Sequence, residues 1–311
     1  MIVAENIGMT YRQMLKEVVA LKSISLEVKK GEVFGLIGPD GAGKSSLFRV
    51  LTTLLLPSAG QAFVGGYDVV KQFREVRNIV GYMPGKFSLY QDLSVEENLR
   101  FFARVFDTTV QANYGQIKDI YEQLAPFKDR KAGALSGGMK QKLGLCCALI
   151  HKPEVLFLDE PTTGVDPISR KEFWDVLKRL SGDGISVLVS TPYMDEARLC
   201  DRIGLIFKGE ILAIDSPDNL VKQHDKKLVA FKGRNMYTLL QDIRKEPAVY
   251  SCFTFGDALH VTFHEREYAV EELAGRLMKA GHKSVEWWRI EAGIEDYFMK
   301  LTNDKCDGKG D

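Results

Sequence analysis

Several features that are scarce or missing in this 311-residue chain exclude whole classes of protein. No apolar run approaches the roughly 18 residues that a membrane-spanning helix needs. The formal net charge is zero, with 42 basic and 42 acidic side chains, which argues against a protein that binds nucleic acid electrostatically. Five cysteines are scattered without metal-ligand spacing, which favours reduced thiols in a cytosolic protein. Glu5 places a carboxylate almost at the start, so we expect no signal peptide.

The most informative segment that is present is a glycine-rich loop at residues 38–45. The apolar run Val33–Ile37 predicts a buried parallel strand before it, and the leucine spacing after it predicts a helix from about Lys44. In that context the loop N–H groups and the helix N-terminus favour a phosphate, Lys44 can reach the β- and γ-phosphates, and Ser45 can offer its hydroxyl to Mg²⁺. The predicted nucleotide-binding residues of the loop are Gly38, Pro39, Asp40, Gly41, Ala42, Gly43, Lys44, Ser45 and Ser46.

A second apolar run, Val155–Leu158, ends in two carboxylates, Asp159 and Glu160. In an open parallel sheet, the carboxyl end of such a strand lies beside the phosphate loop. Asp159 is therefore predicted to hold Mg²⁺ and Glu160 to polarise the attacking water as a general base. An Asp-Glu pair alone would indicate only a surface turn, but here Asp166 can cap a helix that begins at Pro167.

A third segment, Ser136-Gly137-Gly138, opens another helix whose start favours an anion. One nucleotide rarely needs two phosphate-binding helix starts in one chain. We therefore predict that this start completes the ATP site of a second subunit, and a plain capped helix is the alternative.

These motifs, in this order, resemble those of the ATP-binding subunits of ABC transporters, most of all bacterial exporters. The resemblance implies an α/β P-loop NTPase fold of the ABC type. It has a mostly parallel central sheet, an antiparallel sheet on its N-terminal side, a helical insert and a small C-terminal α+β domain. It also implies that Tyr11 stacks on adenine, although a surface tyrosine at a strand end is the alternative reading. Asp166 matches the family's aspartate near the dimer seam.

The same resemblance implies cofactors, partners and location. ATP and Mg²⁺ are the expected cofactors. The expected partners are a membrane permease and a second nucleotide-binding subunit, identical or different, and no nucleic acid. The expected location is cytoplasmic and peripheral, on the inner face of the cell membrane.

Two positions depart from the family pattern and bear on hydrolysis. Gly85 stands where such subunits usually carry a glutamine, and Pro192 stands where they usually carry a histidine. Glycine offers no side-chain ligand, and proline offers neither an imidazole nor a backbone N–H. We expect ATP binding to persist and hydrolysis at this chain's own loop to be slow, as in an asymmetric pair. A homodimer in which Glu160 alone suffices is the competing interpretation.

The domain boundaries follow from changes in pattern along the chain. The nucleotide-binding domain is predicted at 1–222, with a helical insert at about 86–150, and a charged hinge leads to a small α+β domain at 226–302. Residues 303–311 are predicted to form a disordered tail. The family places its permease contact near Phe87–Leu93, for which ordinary packing is an equal alternative. The adjacent Trp287 and Trp288 are expected to be core residues.

Three functions remain open at this level. The first is an ATPase subunit that drives export through a separate permease, and the second is a non-hydrolysing regulatory subunit of a heteromeric pair. The third is a soluble ATP-dependent clamp on nucleic acid or the ribosome. That class usually has two nucleotide domains, a long coiled coil or basic tails, none of which the sequence displays.

Overall fold

The computed structural model describes residues 1–13, 16–86, 88–264 and 269–306 of the chain. It divides the chain into two compact units, Met1–Pro217 and Asp218 onward. The division falls a few residues before the boundary that the sequence predicts. Across the described residues, no helix is both long enough and apolar enough to cross a membrane.

The first unit alternates strands and helices after an initial hairpin. Its elements in chain order are β1 (Ile2–Gln13), β2 (Lys16–Val28), β3 (Val33–Ile37), α1 (Lys44–Leu51), β4 (Ala59–Val64), β5 (Tyr67–Asp68), α2 (Phe73–Ile79), β6 (Val80–Met83), α3 (Val95–Val105), α4 (Tyr114–Tyr121), α5 (Gly137–Leu149), β7 (Val155–Asp159), α6 (Pro167–Gly182), β8 (Ser186–Thr191), β9 (Arg202–Phe207) and β10 (Glu210–Asp215). Helix α7 (Pro217–Lys222) follows at the division, and all but its first residue belongs to the second unit.

The central sheet has the strand order β10-β9-β3-β8-β7-β6. Strands β3, β6, β7, β8 and β9 run parallel, and β10 pairs antiparallel with β9. Every residue of β3, β7 and β8 is buried, as expected for parallel strands covered on both faces. Because these strands are parallel, their carboxyl ends meet at one edge, where Ile37 pairs with Thr191 and Asp159 with Ser190.

A second, antiparallel sheet of order β2-β1-β4-β5 forms the N-terminal side of this unit. Apolar side chains from it, from β3 and from α1 share one core, which includes Ile7, Phe34, Phe48 and Phe157. The α/β fold with a mostly parallel central sheet and an antiparallel N-terminal sheet is therefore confirmed.

The segment between β6 and β7 is mainly helical. Helix α3 begins with the predicted capping box, in which Ser94 Oγ accepts from Glu97 N and the Glu97 carboxylate accepts from Ser94 N. Helix α5 begins at Gly137 and lies against α3 and α4.

The second unit is a small antiparallel domain. It contains β11 (Leu228–Lys232), α8 (Met236–Lys245), β12 (Val249–Phe255), β13 (Ala258–Phe263), α9 (Val270–Lys279), β14 (Glu286–Ile290) and α10 (Ile294–Cys306). Its sheet has the order β12-β13-β11-β14, which is the split β-α-β arrangement. Apolar residues of α8 and α9 pack on one face of this sheet.

Two sequence expectations in this unit need adjustment. Trp287 packs against the core, but the side chain of Trp288 is 41% exposed, because successive residues of a strand point to opposite faces. Helix α10 continues to Cys306, past residue 303 where the predicted tail begins, and residues 307–311 lie outside the described residues.

Candidate functional site

The glycine-rich loop joins β3 to α1 at the carboxyl edge of the central sheet. Gly41 and Gly43 have φ angles of 76° and 110°, which side chains other than glycine rarely adopt. A Cβ at Gly43 would also lie 2.7 Å from the Ala20 carbonyl oxygen. Glycine is thus required at these positions by the backbone conformation and, at Gly43, by the closeness of the Ala20 carbonyl. Helix α1 begins at the next residue, Lys44.

Lys44 is buried in this loop, with 3% of its surface exposed. Its Nζ donates to the carbonyl oxygens of Gly38 (2.8 Å) and Pro39 (3.1 Å) and lies 3.2 Å from Glu160 Oε1. The structure therefore brings the predicted phosphate-binding ammonium and the predicted general base into one ion pair. A γ-phosphate oxygen would supply a stronger counter-charge at the same place.

The two predicted carboxylates lie at the end of β7. Asp159 is buried, and its Oδ1 accepts a 2.6 Å hydrogen bond from Ser190 Oγ of the neighbouring strand. The Glu160 N–H donates to Ser190 Oγ at 3.0 Å, and Glu160 itself has a φ of 52°. Ser190 thus fixes the Asp159 carboxylate and the Glu160 backbone, a role that the sequence analysis missed.

Tyr82 of β6 is a second residue that the sequence analysis missed. Burial, and then the negative charge of Asp159, raises the pKa of the Tyr82 hydroxyl to about 12. The phenol is therefore neutral at physiological pH and adds no charge beside Asp159.

The side chains predicted to hold Mg²⁺ are both oxygen donors. Asp159 offers a buried carboxylate, and Ser45 offers a hydroxyl in the first turn of α1. Magnesium prefers such hard oxygen ligands and is usually completed by water and substrate phosphates, so the donor set fits this ion. When bound, the ion would neutralise charge on the phosphates.

Tyr11 of β1 reaches the same loop from the antiparallel sheet. Its hydroxyl lies 3.1 Å from Ser46 Oγ on α1. The structure thus places the predicted adenine-stacking residue beside the phosphate loop, where its ring is partly buried against the core. Stacking itself remains a prediction.

The Ser136–Gly138 helix start packs against the beginning of α6 instead of standing alone. Ser136 Oγ accepts from Met139 N at 3.4 Å as the N-cap of α5. A Cβ added to Gly138 would lie 2.8 Å from Ser169 Oγ, so glycine is needed for this close contact. Ser136 and Gly137 themselves are exposed and can meet a second subunit.

Asp166 caps α6 at this same surface. Its Oδ1 accepts from Ser169 N (3.0 Å) and Ile168 N (3.1 Å). The hydrogen bonds from Ser169, and then that from Ile168, lower the pKa of the Asp166 carboxyl below its usual value. The predicted seam residue and the predicted partner-facing helix start are therefore neighbours.

Gly85 and Pro192, the two positions that depart from the family pattern, lie next to the site. We call this part of the site the sensing side. A Cβ added to Gly85 would lie 3.0 Å from the Asp159 carbonyl oxygen and 3.8 Å from Asp159 Cγ. Pro192 directly follows β8, whose last residue, Thr191, accepts a 3.4 Å backbone hydrogen bond from Gly38 N. Both positions thus adjoin the site, and neither contributes a side-chain donor.

Comparison with known proteins agrees with this geometry. The family model described as ABC transporter matches residues 21–163. The chain is 38% identical over 316 residues to the linearmycin resistance ATP-binding protein LnrL of Bacillus subtilis, across 97% of this chain and 98% of that protein. It is 36% identical over 290 residues to the Nod factor export ATP-binding protein I of a Rhizobium species, across 91% of each.

The match to a third relative is partial. The probable multidrug ABC transporter ATP-binding protein YbhF of Escherichia coli is 45% identical over 206 residues. This covers 66% of the present chain and only 36% of YbhF.

Solved structures share the fold at low sequence identity. The dimeric bacterial ABC transporter cassette MJ0796 superposes with a TM-score of 0.64 at 24% identity, covering 70% of this chain and 98% of that cassette. CbiO1 of Clostridium perfringens, part of an ABC transporter complex, gives a TM-score of 0.61 at 23% identity, covering 78% and 93%. The sequence matches show that the chain belongs to the ABC transporter family, as an ATP-binding subunit.

Proposed function

We propose that this chain binds and hydrolyses MgATP to power export through a separate membrane permease. One observation carries the proposal: Lys44, Asp159 and Glu160 converge at one sheet edge, with Lys44 and Glu160 already 3.2 Å apart. The ammonium and the loop N–H groups bind phosphate, Asp159 and Ser45 hold Mg²⁺, and Glu160 polarises water. The subunit acts on the cytoplasmic side, peripheral to the membrane.

The permease contact is assigned to a groove beside β6. This groove has a volume of about 490 Å³ and is lined mainly by apolar side chains, including Leu54, Met83, Leu89, Phe102 and Val105. Leu54 and Val105 are 54% and 58% exposed, which is unusual for large apolar side chains on one surface. We assign the groove to an amphipathic helix of the permease.

The predicted contact segment partly lines this groove. Leu89 is buried in it, whereas Tyr90 is 50% exposed and packs edge-on against Phe101 at 4.8 Å between ring centroids. Phe87 lies outside the described residues. The segment therefore contains one residue that packs in the groove, Leu89, and one that is accessible to a partner, Tyr90.

ATP is proposed to lie between two subunits, each of which contributes half of the site. This chain supplies Ser136–Gly138 to the ATP of its partner and receives the equivalent helix start for its own. Because the sensing side lacks side-chain donors, we propose a heteromeric pair in which this chain's own site holds ATP mainly as a clamp. The exposed Ser136 and the neighbouring Asp166 cap support such a shared seam.

Two alternatives remain distinguishable. A non-hydrolysing regulatory subunit is favoured by Gly85 and Pro192, but Glu160 is present and its backbone is fixed by Ser190. A clamp on nucleic acid is disfavoured by the zero net charge.

The test of the proposal is ATP hydrolysis by membranes that contain the full-length chain, a second nucleotide-binding subunit and a permease from the same genome. We expect ATP-dependent export and an ATPase rate that falls when any of these proteins is omitted. ATP binding without any hydrolysis in every pairing would support the regulatory subunit, and absence of ATP binding would contradict both.

A further inference from the structure

A cluster of polar and charged side chains lies between the start of α6 and the segment after β8. Arg170 of α6 places its guanidinium over the Tyr193 ring, 4.6 Å from the ring centroid. Arg170 also pairs with Asp195 and Glu196, each at 3.6 Å. Glu196 Oε1 accepts a 2.7 Å hydrogen bond from Thr162 Oγ1, which lies two residues after Glu160.

Glu196 is the buried carboxylate of this cluster, whereas Arg170 is partly exposed and Asp195 is exposed. Glu196 is 1% exposed, yet only its Oε1 is hydrogen-bonded. Among the described residues, Glu196 Oε2 and Arg170 Nε are buried polar atoms that have no hydrogen-bond partner. Buried charges normally acquire a full set of partners, because an unsatisfied one carries a desolvation cost. The Arg170–Glu196 ion pair at 3.6 Å is thus the main charge compensation of the buried Glu196 carboxylate.

One end of the cluster touches the partner-facing surface. Ser169, the residue before Arg170, lies against Gly138 of the Ser136–Gly138 helix start and donates its N–H to the Asp166 cap. The first turn of α6 is therefore in direct contact with the Ser136–Gly138 helix start.

The other end of the cluster touches this chain's own ATP site. Tyr193 N donates to Thr191 Oγ1 at 3.0 Å, and the adjacent Ser190 fixes the Asp159 carboxylate and the Glu160 backbone. Thr162 connects Glu196 to the loop that follows Glu160. The cluster thus spans the distance between the two ATP-binding surfaces of one chain.

We infer that Arg170 and Glu196 are positioning residues that fix the segment after β8 against α6 and so couple the partner-facing helix start to this chain's own carboxylates. The inference rests on the proposed function and deepens it. Pro192 has no side-chain donor, and the contacts of the segment with α6 are those of Arg170 with Tyr193, Asp195 and Glu196. A planar guanidinium suits this role, because it can stack on Tyr193 and pair with two carboxylates at once.

The experiment uses the full-length chain together with a second nucleotide-binding subunit from the same genome, and compares ATP affinity with the single-turnover hydrolysis rate, measured with protein in excess over MgATP. For Arg170→Ala we expect the rate to fall about ten- to a hundredfold, the scale of a misplaced catalytic group, while the dissociation constant for ATP stays within about twofold. Arg170→Lys keeps the charge without the planar group and should give an intermediate rate. Lys171→Ala removes a neighbouring exposed charge of the same helix and should match the unmodified chain.

Hydrogen exchange supplies the readout that a general loss of stability would not reproduce. Amide exchange in Arg170→Ala should rise at residues 191–196 and stay unchanged at residues 38–45. If Arg170→Ala does not fold, Thr162→Val, which removes the hydrogen bond to Glu196, is expected to lower the rate in the same way.

The inference is overturned if Arg170→Ala, or Thr162→Val in its place, hydrolyses ATP at the unmodified rate. It is also overturned if ATP affinity falls in proportion to the rate, because that would mean a role in binding. An unmodified chain that binds no ATP would instead contradict the proposed function.

Discussion

The phosphate-binding side and the sensing side of the site differ in how they are built. On the phosphate-binding side, defined by Lys44, Asp159 and Glu160, every functional group has a charged or hydrogen-bonded neighbour within 3.2 Å. On the sensing side, Gly85 and Pro192 lie beside the same groups and present no side-chain donor. On the proposed roles, the contrast separates affinity from rate: the groups expected to bind phosphate are present, whereas Gly85 and Pro192 stand where the family resemblance implies a glutamine and a histidine.

The largest expected effect is on the phosphate-binding side. Lys44→Ala removes the ammonium group that is predicted to bind the β- and γ-phosphates of ATP. It also leaves Glu160 without its counter-charge. We expect ATP affinity to fall by at least about a hundredfold, because each charge-assisted hydrogen bond contributes roughly 1.5–3 kcal/mol. Equilibrium binding of a fluorescent ATP analogue measures this.

Lys30→Ala is the matched control, since Lys30 is an exposed lysine in the turn before β3. The affinity of the Lys30→Ala variant for ATP should equal that of the unmodified chain. Undiminished affinity in Lys44→Ala would show that the phosphate loop is wrongly assigned.

The next effect tests whether the site is shared. Ser136→Arg places a bulky cation at the exposed start of α5, so ATP binding by the isolated chain should be unchanged. Hydrolysis by the assembled pair should fall about a hundredfold, as when a transition-state donor is lost. Gln111→Arg adds the same charge at an exposed position of the insert and should have no effect on the pair. Normal cycling of the pair with Ser136→Arg would mean that this helix start serves no partner.

A gain of function tests the sensing side directly. Pro192→His supplies an imidazole and a backbone N–H after β8, and we expect the hydrolysis rate of the chain to rise about tenfold or more. ATP affinity should change little, because the phosphate-binding side is untouched. Single-turnover hydrolysis of radiolabelled ATP measures the rate.

Two comparisons make this result specific. Pro192→Ala removes the ring without adding an imidazole and should not raise the rate. Gly85→Gln alone should gain less than Pro192→His, because its Cβ would lie 3.0 Å from the Asp159 carbonyl oxygen and the strand end would have to move. Equal rates in Pro192→His and Pro192→Ala would mean that the missing histidine does not limit hydrolysis.

The smallest effect concerns His151, which supports β6, the strand that leads to Gly85. Its Nε2–H donates to Val80 O at 3.1 Å, and its ring stacks on Phe106 at 3.8 Å between centroids. Burial lowers the pKa of His151 below 6.5, so the native protein binds fewer protons than the unfolded chain. The stability that follows is present above pH 6.5 and is lost as the pH falls below that value.

Urea unfolding at pH 8 and pH 5 measures this effect. The unmodified chain should lose more stability between these two pH values than His151→Phe, by at most about 1 kcal/mol. Equal losses in the two proteins would mean that His151 is not the titrating group.

The sequence predicted the parts of the site that lie within one segment. The phosphate loop and the two carboxylates each follow a continuous apolar run, and such runs become buried parallel strands whose carboxyl ends meet. Contacts between distant segments were not predictable, because nothing local marks Ser190 as the partner of Asp159, 31 residues away. The Arg170–Glu196 ion pair was not predicted for the same reason.

The fold shows the same limit. Continuous apolar runs predicted the parallel strands, and the family resemblance implied the antiparallel sheet and the insert. The 41% exposure of Trp288, in contrast, depends on which face of β14 the second unit covers. A pair of adjacent tryptophans cannot both face one side of a strand. The end of α10 was likewise missed, since its last turn is polar.

The measurement that tests the central claim most directly is made on the purified full-length chain without a partner subunit. ATP affinity and single-turnover hydrolysis are determined on the same preparation with Mg²⁺ present. We predict tight binding with a rate about a hundredfold or more below that of the same chain carrying both Gly85→Gln and Pro192→His. Unmodified chain that hydrolyses its bound ATP as fast as that doubly substituted protein would contradict the account.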